Sequence, residues 1–83
     1  MKQFLYFSAT WCVPCKSFSP IMDKVAMSGI PVQKIDVDMQ KDLAKQFNVS
    51  GIPTVILVQN GQVLNRFTGA KSEQEIKQIY GSY

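Results

Sequence analysis

The stretch Phe7-Ser8-Ala9-Thr10-Trp11-Cys12-Val13-Pro14-Cys15-Lys16 joins an apolar run to a segment with helical spacing, and it holds both cysteines of the 83-residue chain. Ahead of it, residues 2–7 are rich in Phe, Leu and Tyr and read as a central strand buried on both faces. Behind it, Phe18, Ile21, Met22 and Val25 recur at helical spacing and Gly29 follows, so residues 12–27 read as a helix. Pro14 suits the first turn, where a missing N–H costs nothing. Pro20 falls mid-helix and predicts a kink.

Cys12 and Cys15 are three residues apart, which places them on one face of the first helical turn within disulfide reach. A bridge with two intervening residues closes a very small loop and adds little as a staple. Its rationale is chemical. At a helix N-terminus the free N–H groups and the macrodipole favour a thiolate, and Lys16 adds a nearby positive charge. Cys12 is then the nucleophile that attacks a substrate disulfide, and Cys15 resolves the mixed disulfide by attacking Cys12. The competing reading is a pair of buried core cysteines; the flanking Trp11 and Pro14 and the strand–helix junction favour exchange chemistry. The chain has no histidine, which excludes Cys–His and Ser–His pairs and the common zinc sites, so no metal is expected.

Downstream, residues 32–37 read as a strand after Pro31 and residues 41–47 as a short helix. The β-branched run 52–58 reads as a third strand, Asn60-Gly61 as a hairpin turn and residues 62–67 as the returning strand. Ser72-Glu73-Gln74-Glu75 is a capping box opening a last helix that runs to about Tyr80. The order β-α-β-α-β-β-α predicts an α/β domain spanning 1–83. Its four-stranded mixed sheet is flanked by helices, with the first two strands parallel and the last two antiparallel.

Hydrophobic residues make up 46% and charged residues 18%, as in a folded protein. The formal charge is +3 but the basic residues are scattered, so no nucleic-acid partner is expected. No apolar run reaches ~18 residues, so no membrane span is expected. Met1–Phe7 has the outline of a secretory leader, yet Ser8 and Thr10 interrupt its apolar stretch; a cytoplasmic monomer is expected.

The quoted stretch resembles the active-site signature of the thioredoxin family. Further matches lie at Pro20, Lys34, Asp38, Gly51-Ile52-Pro53-Thr54, Asn60-Gly61 and Gly69, in family order over most of the chain. The resemblance implies the minimal thioredoxin fold and reduction of protein disulfides by dithiol exchange. It also implies an external electron-donating reductase and no cofactor beyond the Cys12–Cys15 disulfide. It implies a cis Ile52-Pro53 peptide packed beside the disulfide, leaving the backbone of Ile52 free to pair with a substrate strand. Trp11, Val13, Ile52, Pro53, Gly69 and Ala70 would then form the docking surface. For Trp11 and Ile52 the alternative is ordinary core packing.

The chain departs from the family in three ways. It begins at the strand leading to the cysteines, without the family's opening strand and helix, which predicts a less covered sheet edge at the second strand. Tyr6 stands where the family carries a buried Asp, and a phenol is a poor base at neutral pH. Lys34, which matches the partner of that Asp, is either a modulator or an ordinary strand lysine. Val13 replaces the usual Gly between the cysteines; like Pro14, it bears on the relative stability of dithiol and disulfide. Two other functions fit the pattern less well. One is a glutaredoxin-like role, for which no basic glutathione pocket is evident. The other is a non-catalytic partner-binding subunit.

Overall fold

β1 (Lys2–Ser8) is buried from Phe4 to Phe7, and its side chains divide by the two-residue period of a strand. Phe4 and Tyr6 face one side, where they meet Phe18, Met22 and Val25 of α1 (Val13–Met27) and Ile76 of α3 (Glu73–Ser82). Leu5 and Phe7 face the other, packed with Ile35 of β2 (Val32–Asp36) and Ala44 of α2 (Lys41–Gln46). β3 (Thr54–Gln59) repeats the division, sending Val55 and Leu57 to the first core and Ile56 and Val58 to the second. The unbroken apolar run Val55–Val58 marks it, like Phe4–Phe7 of β1, as a strand covered on both faces.

The computed structural model describes residues 1–83, and its sheet order is β2-β1-β3-β4, with β4 at Gln62–Thr68. β1 runs parallel to β2 and antiparallel to β3, and β3 and β4 form an antiparallel hairpin. This is the four-stranded mixed sheet with three helices expected from the sequence. Asn60 and Gly61 both have positive φ, 52° and 82°, as a two-residue hairpin turn between Gln59 and Gln62 requires. β2 lies at a sheet edge, as anticipated.

Some boundaries differ from the sequence reading. α1 starts at Val13, with Cys12 as its N-cap, and continues through the exposed Pro20 to Met27. β2 stops at Asp36, whose Oδ1 accepts from the N–H groups of Asp38 (2.8 Å) and Met39 (3.3 Å) and so turns the chain out of the sheet. β3 starts at Thr54 rather than residue 52, because Pro53 has no N–H to give to a ladder. α3 reaches Ser82, past Tyr80. Its N-terminus is closed by the expected capping box, Ser72 Oγ accepting from Glu75 N and Glu75 Oε1 accepting from Ser72 N.

The Lys2–Tyr80 pair adds polar contacts to the apolar packing of α3 on β1. Lys2 Nζ donates to the Tyr80 carbonyl at 2.8 Å and sits 4.4 Å from the Tyr80 ring centroid, while Tyr80 Oη donates to the Lys2 carbonyl. No helix is long and apolar enough to cross a membrane.

Candidate active site

The chain leaves β1 at Ser8, turns through Ala9–Trp11 and enters α1, so Cys12 falls at the end of the central strand and the start of the longest helix. Cys12 N donates to the Ala9 carbonyl, which closes the turn. Cys12 has extended backbone angles (φ −82°, ψ 108°), and its Sγ accepts from Cys15 N at 3.3 Å. The nucleophile expected from the sequence therefore is the cap of α1, with the first-turn N–H of Cys15 directed at its sulfur. A thiolate there gains a hydrogen bond and the favourable end of the helix dipole.

Cys12 and Cys15 form a disulfide, with Cα atoms 5.3 Å apart. Both are buried among Ala9, Val37 and Ile52. Ile52-Pro53 is a cis peptide, as the resemblance implied. Ile52 is half-buried against the cysteines, and its N–H and C=O bond to no other protein group. Pro53 is buried, and its carbonyl accepts from Gly69 N at 2.8 Å, with Gly69 at φ +94°. The loop after β4 is thereby held against the loop before β3.

Trp11 and Val13 are 63% and 74% exposed, which is not core packing. They stand on either side of Cys12 in the chain as uncovered apolar groups. Trp11 Nε1 donates to Asp38 Oδ2 at 2.7 Å. Ala70 is exposed and Pro14 exposed. The structure thus brings Ile52 onto the cysteines and Gly69 onto Pro53.

Tyr6 is fully buried beneath α1, edge-on to Phe18 with ring centroids 5.5 Å apart. Its hydroxyl donates to the Cys15 carbonyl at 3.3 Å and lies 2.9 Å from Ser19 Oγ. Tyr6 therefore reaches the backbone of Cys15. Ser19 joins the site unannounced by any motif; its position four residues after Cys15 on one helix face is the sequence signal that points to it. Lys34 is an exposed strand lysine whose Nζ pairs with Asp23 of α1 at 2.7 Å. It also lines a cleft of about 270 Å³ that Ser8, Thr10, Cys15, Lys16, Ser19 and Asp36 share.

The thioredoxin family model matches residues 2–81. The chain belongs to the thioredoxin family. It is 43% identical over 70 residues to the bifunctional thioredoxin reductase/thioredoxin of Mycobacterium leprae, a match covering 81% of this chain and 15% of that one. It is 38% identical over 74 residues to the mitochondrial thioredoxin of Bos taurus, covering 86% of this chain and 45% of the relative. The chain thus spans less than half the length of these two relatives. Among solved structures, a thioredoxin variant from Halobacterium salinarum superposes with a TM-score of 0.91 at 32% identity, covering 99% of this chain and 74% of that one. In this chain the cap position of Cys12, the cis Ile52-Pro53 bond and the exposed Trp11 are carried on four strands and three helices.

Proposed function

We propose that this protein is a thiol–disulfide oxidoreductase that reduces disulfides in protein substrates. The observation that carries this reading is the Cys12–Cys15 disulfide at the N-cap of α1, flanked by exposed Trp11 and Val13. In the reduced protein the Cys12 thiolate attacks one sulfur of a substrate disulfide, and the other substrate sulfur leaves as a thiolate. Cys15 then attacks Cys12 Sγ, the bond from Cys12 to the substrate breaks, and the substrate departs with two thiols. Two electrons pass from the enzyme dithiol to the substrate, and no bound cofactor is needed.

The open backbone groups of Ile52 lie next to the sulfurs, which suits pairing with an extended substrate segment. Trp11, Val13 and Gly69 complete the docking surface. The dithiol is restored by a reductase; the Mycobacterium leprae relative carries both names in one chain. A protein that donates electrons in each turnover works where they are resupplied, and we place this one in the cytoplasm as a monomer relaying electrons in redox homeostasis.

The test is reduction of insulin disulfides by the dithiol form, with the redox potential of the pair measured against a glutathione buffer. Turnover with a thioredoxin reductase, abolished by Cys12→Ser, supports the reading. No reduction by the fully reduced protein would overturn it.

A further inference from the structure

We infer that the Tyr6–Ser19 hydroxyl pair positions Cys15 for the resolving step, and that the proton of Cys15 leaves through the adjoining cleft to water instead of to a buried carboxylate. This inference rests on the exchange reaction proposed above and concerns its second step.

The direction of the hydrogen bonds can be deduced. The Cys15 carbonyl can only accept, so Tyr6 donates its one proton there. Ser19 must then donate to Tyr6 Oη across the 2.9 Å contact. The resulting chain runs from the Ser19 hydroxyl to the Tyr6 hydroxyl to the Cys15 carbonyl. It consumes the proton of each hydroxyl and leaves the Ser19 oxygen as an acceptor. Ser19 is half-buried and lines the same cleft as Cys15, so both residues border one solvent-filled space.

The groups around Cys15 limit the alternatives. Ala9, Val37 and Ile52 cover it with apolar atoms. Beneath α1, β1 offers Tyr6, whose proton is already committed. The charged groups on the cleft are Lys16 from α1 and Lys34 and Asp36 from β2. Lys34 is held by Asp23, and Asp36 Oδ1 accepts from two turn N–H groups. Cys12 is covalently occupied by substrate at this stage and does not titrate.

In the step itself, the Cys15 thiol gives its proton to cleft water hydrogen-bonded to Ser19 Oγ. The sulfur lone pair forms the bond to Cys12 Sγ as the bond from Cys12 to the substrate sulfur breaks. The substrate sulfur leaves with that electron pair and takes one proton from solvent, so protons and electrons balance.

The experiment is rapid-quench timing of this step from pH 6 to 10, on a preformed mixed disulfide between Cys12 and a thionitrobenzoate group. Wild-type, Ser19→Ala, Ser19→Thr and Tyr6→Phe proteins are compared. In the wild type the rate should rise about tenfold per pH unit until the thiol is ionised, with no second plateau. Ser19→Ala should slow the step about three- to tenfold at pH 7, with rates converging at high pH, and Ser19→Thr should restore it. Tyr6→Phe should move the profile in the same direction while keeping the ring packed against Phe18. Coinciding profiles for wild-type and Ser19→Ala proteins, or a plateau at neutral pH in the wild type, would overturn the inference. Because the adduct is preformed, this result is independent of insulin reduction, which tests the function itself.

Discussion

The indole N–H of Trp11 donates to the Asp38 carboxylate at 2.7 Å, joining the turn before the cysteines to the turn after β2. The bond sets the orientation of a ring that is otherwise exposed. Asp38→Ala frees that ring without touching either sulfur. Its expected effect is a rise of several-fold in KM for a protein substrate with kcat nearly unchanged, and a loss of stability of about 0.5–1 kcal/mol, since both groups are exposed. Steady-state kinetics check the first part, and denaturant unfolding followed by Trp11 fluorescence checks the second.

The capping box of α3 makes stability depend on acid. Hydrogen bonds from the Ser72 backbone N–H and then from its hydroxyl hold Glu75 below the ordinary glutamate range. Glu73 is lowered too, first by its hydrogen bond from Lys77. A carboxylate lowered by folding contributes stability that is fully present above its unfolded pKa, about 4.3. That contribution is lost as pH falls through the lowered folded value. Glu75→Gln should therefore flatten the decline in Tm below about pH 4.3. Ser72→Ala should cost about 1 kcal/mol near neutral pH. Thermal melts across that range measure both.

Lys2 and Tyr80 tie the chain's first strand to its last helix through two hydrogen bonds and a cation–ring contact. Lys2→Met keeps the apolar stem but removes the ammonium. It should destabilise by about 1 kcal/mol. Hydrogen exchange should rise in α3 before it rises in the central strands, because α3 contributes one buried side chain, Ile76, to the core. A uniform rise across the sheet would contradict this attachment.

Arg66 on β4 reaches the end of α2, its guanidinium donating to the carbonyls of Phe47 (2.7 Å) and Asn48 (3.4 Å). Asn48 follows with φ 54°, the left-handed conformation that ends many helices. Asn48→Gly should be close to neutral, Asn48→Val should cost about 1–2 kcal/mol, and Arg66→Met should cost about 1 kcal/mol. Urea midpoints at constant m separate these effects.

Much of this fold could be read from local chemistry. The Asn60-Gly61 turn, the Ser72–Glu75 box and the spacing of Phe18, Met22 and Val25 each specify a structure through groups a few residues apart. β3 begins two residues later than its sequence pattern implies, because Ile52 and Pro53 continue a β-branched run in sequence while standing outside the ladder. The site was legible in its cysteines, since a pair three apart at a helix start is a local arrangement. Ser19 stands four residues after Cys15, a spacing visible in the sequence, but its bond to Tyr6 joins groups 13 residues apart and appears only once α1 is laid on β1.

The sequence by itself determined the order of strands and helices, the position of Cys12 at a helix start and its pairing distance to Cys15. All of these depend on periodicity and near-neighbour geometry. Only the tertiary structure decided where the Tyr6 hydroxyl ends, which carboxylate receives Trp11, and that Cys15 shares a cleft with Ser19. Those contacts join groups brought together by stacking α1 on β1 and pairing β1 with β2, and their distances are set by how the core side chains pack.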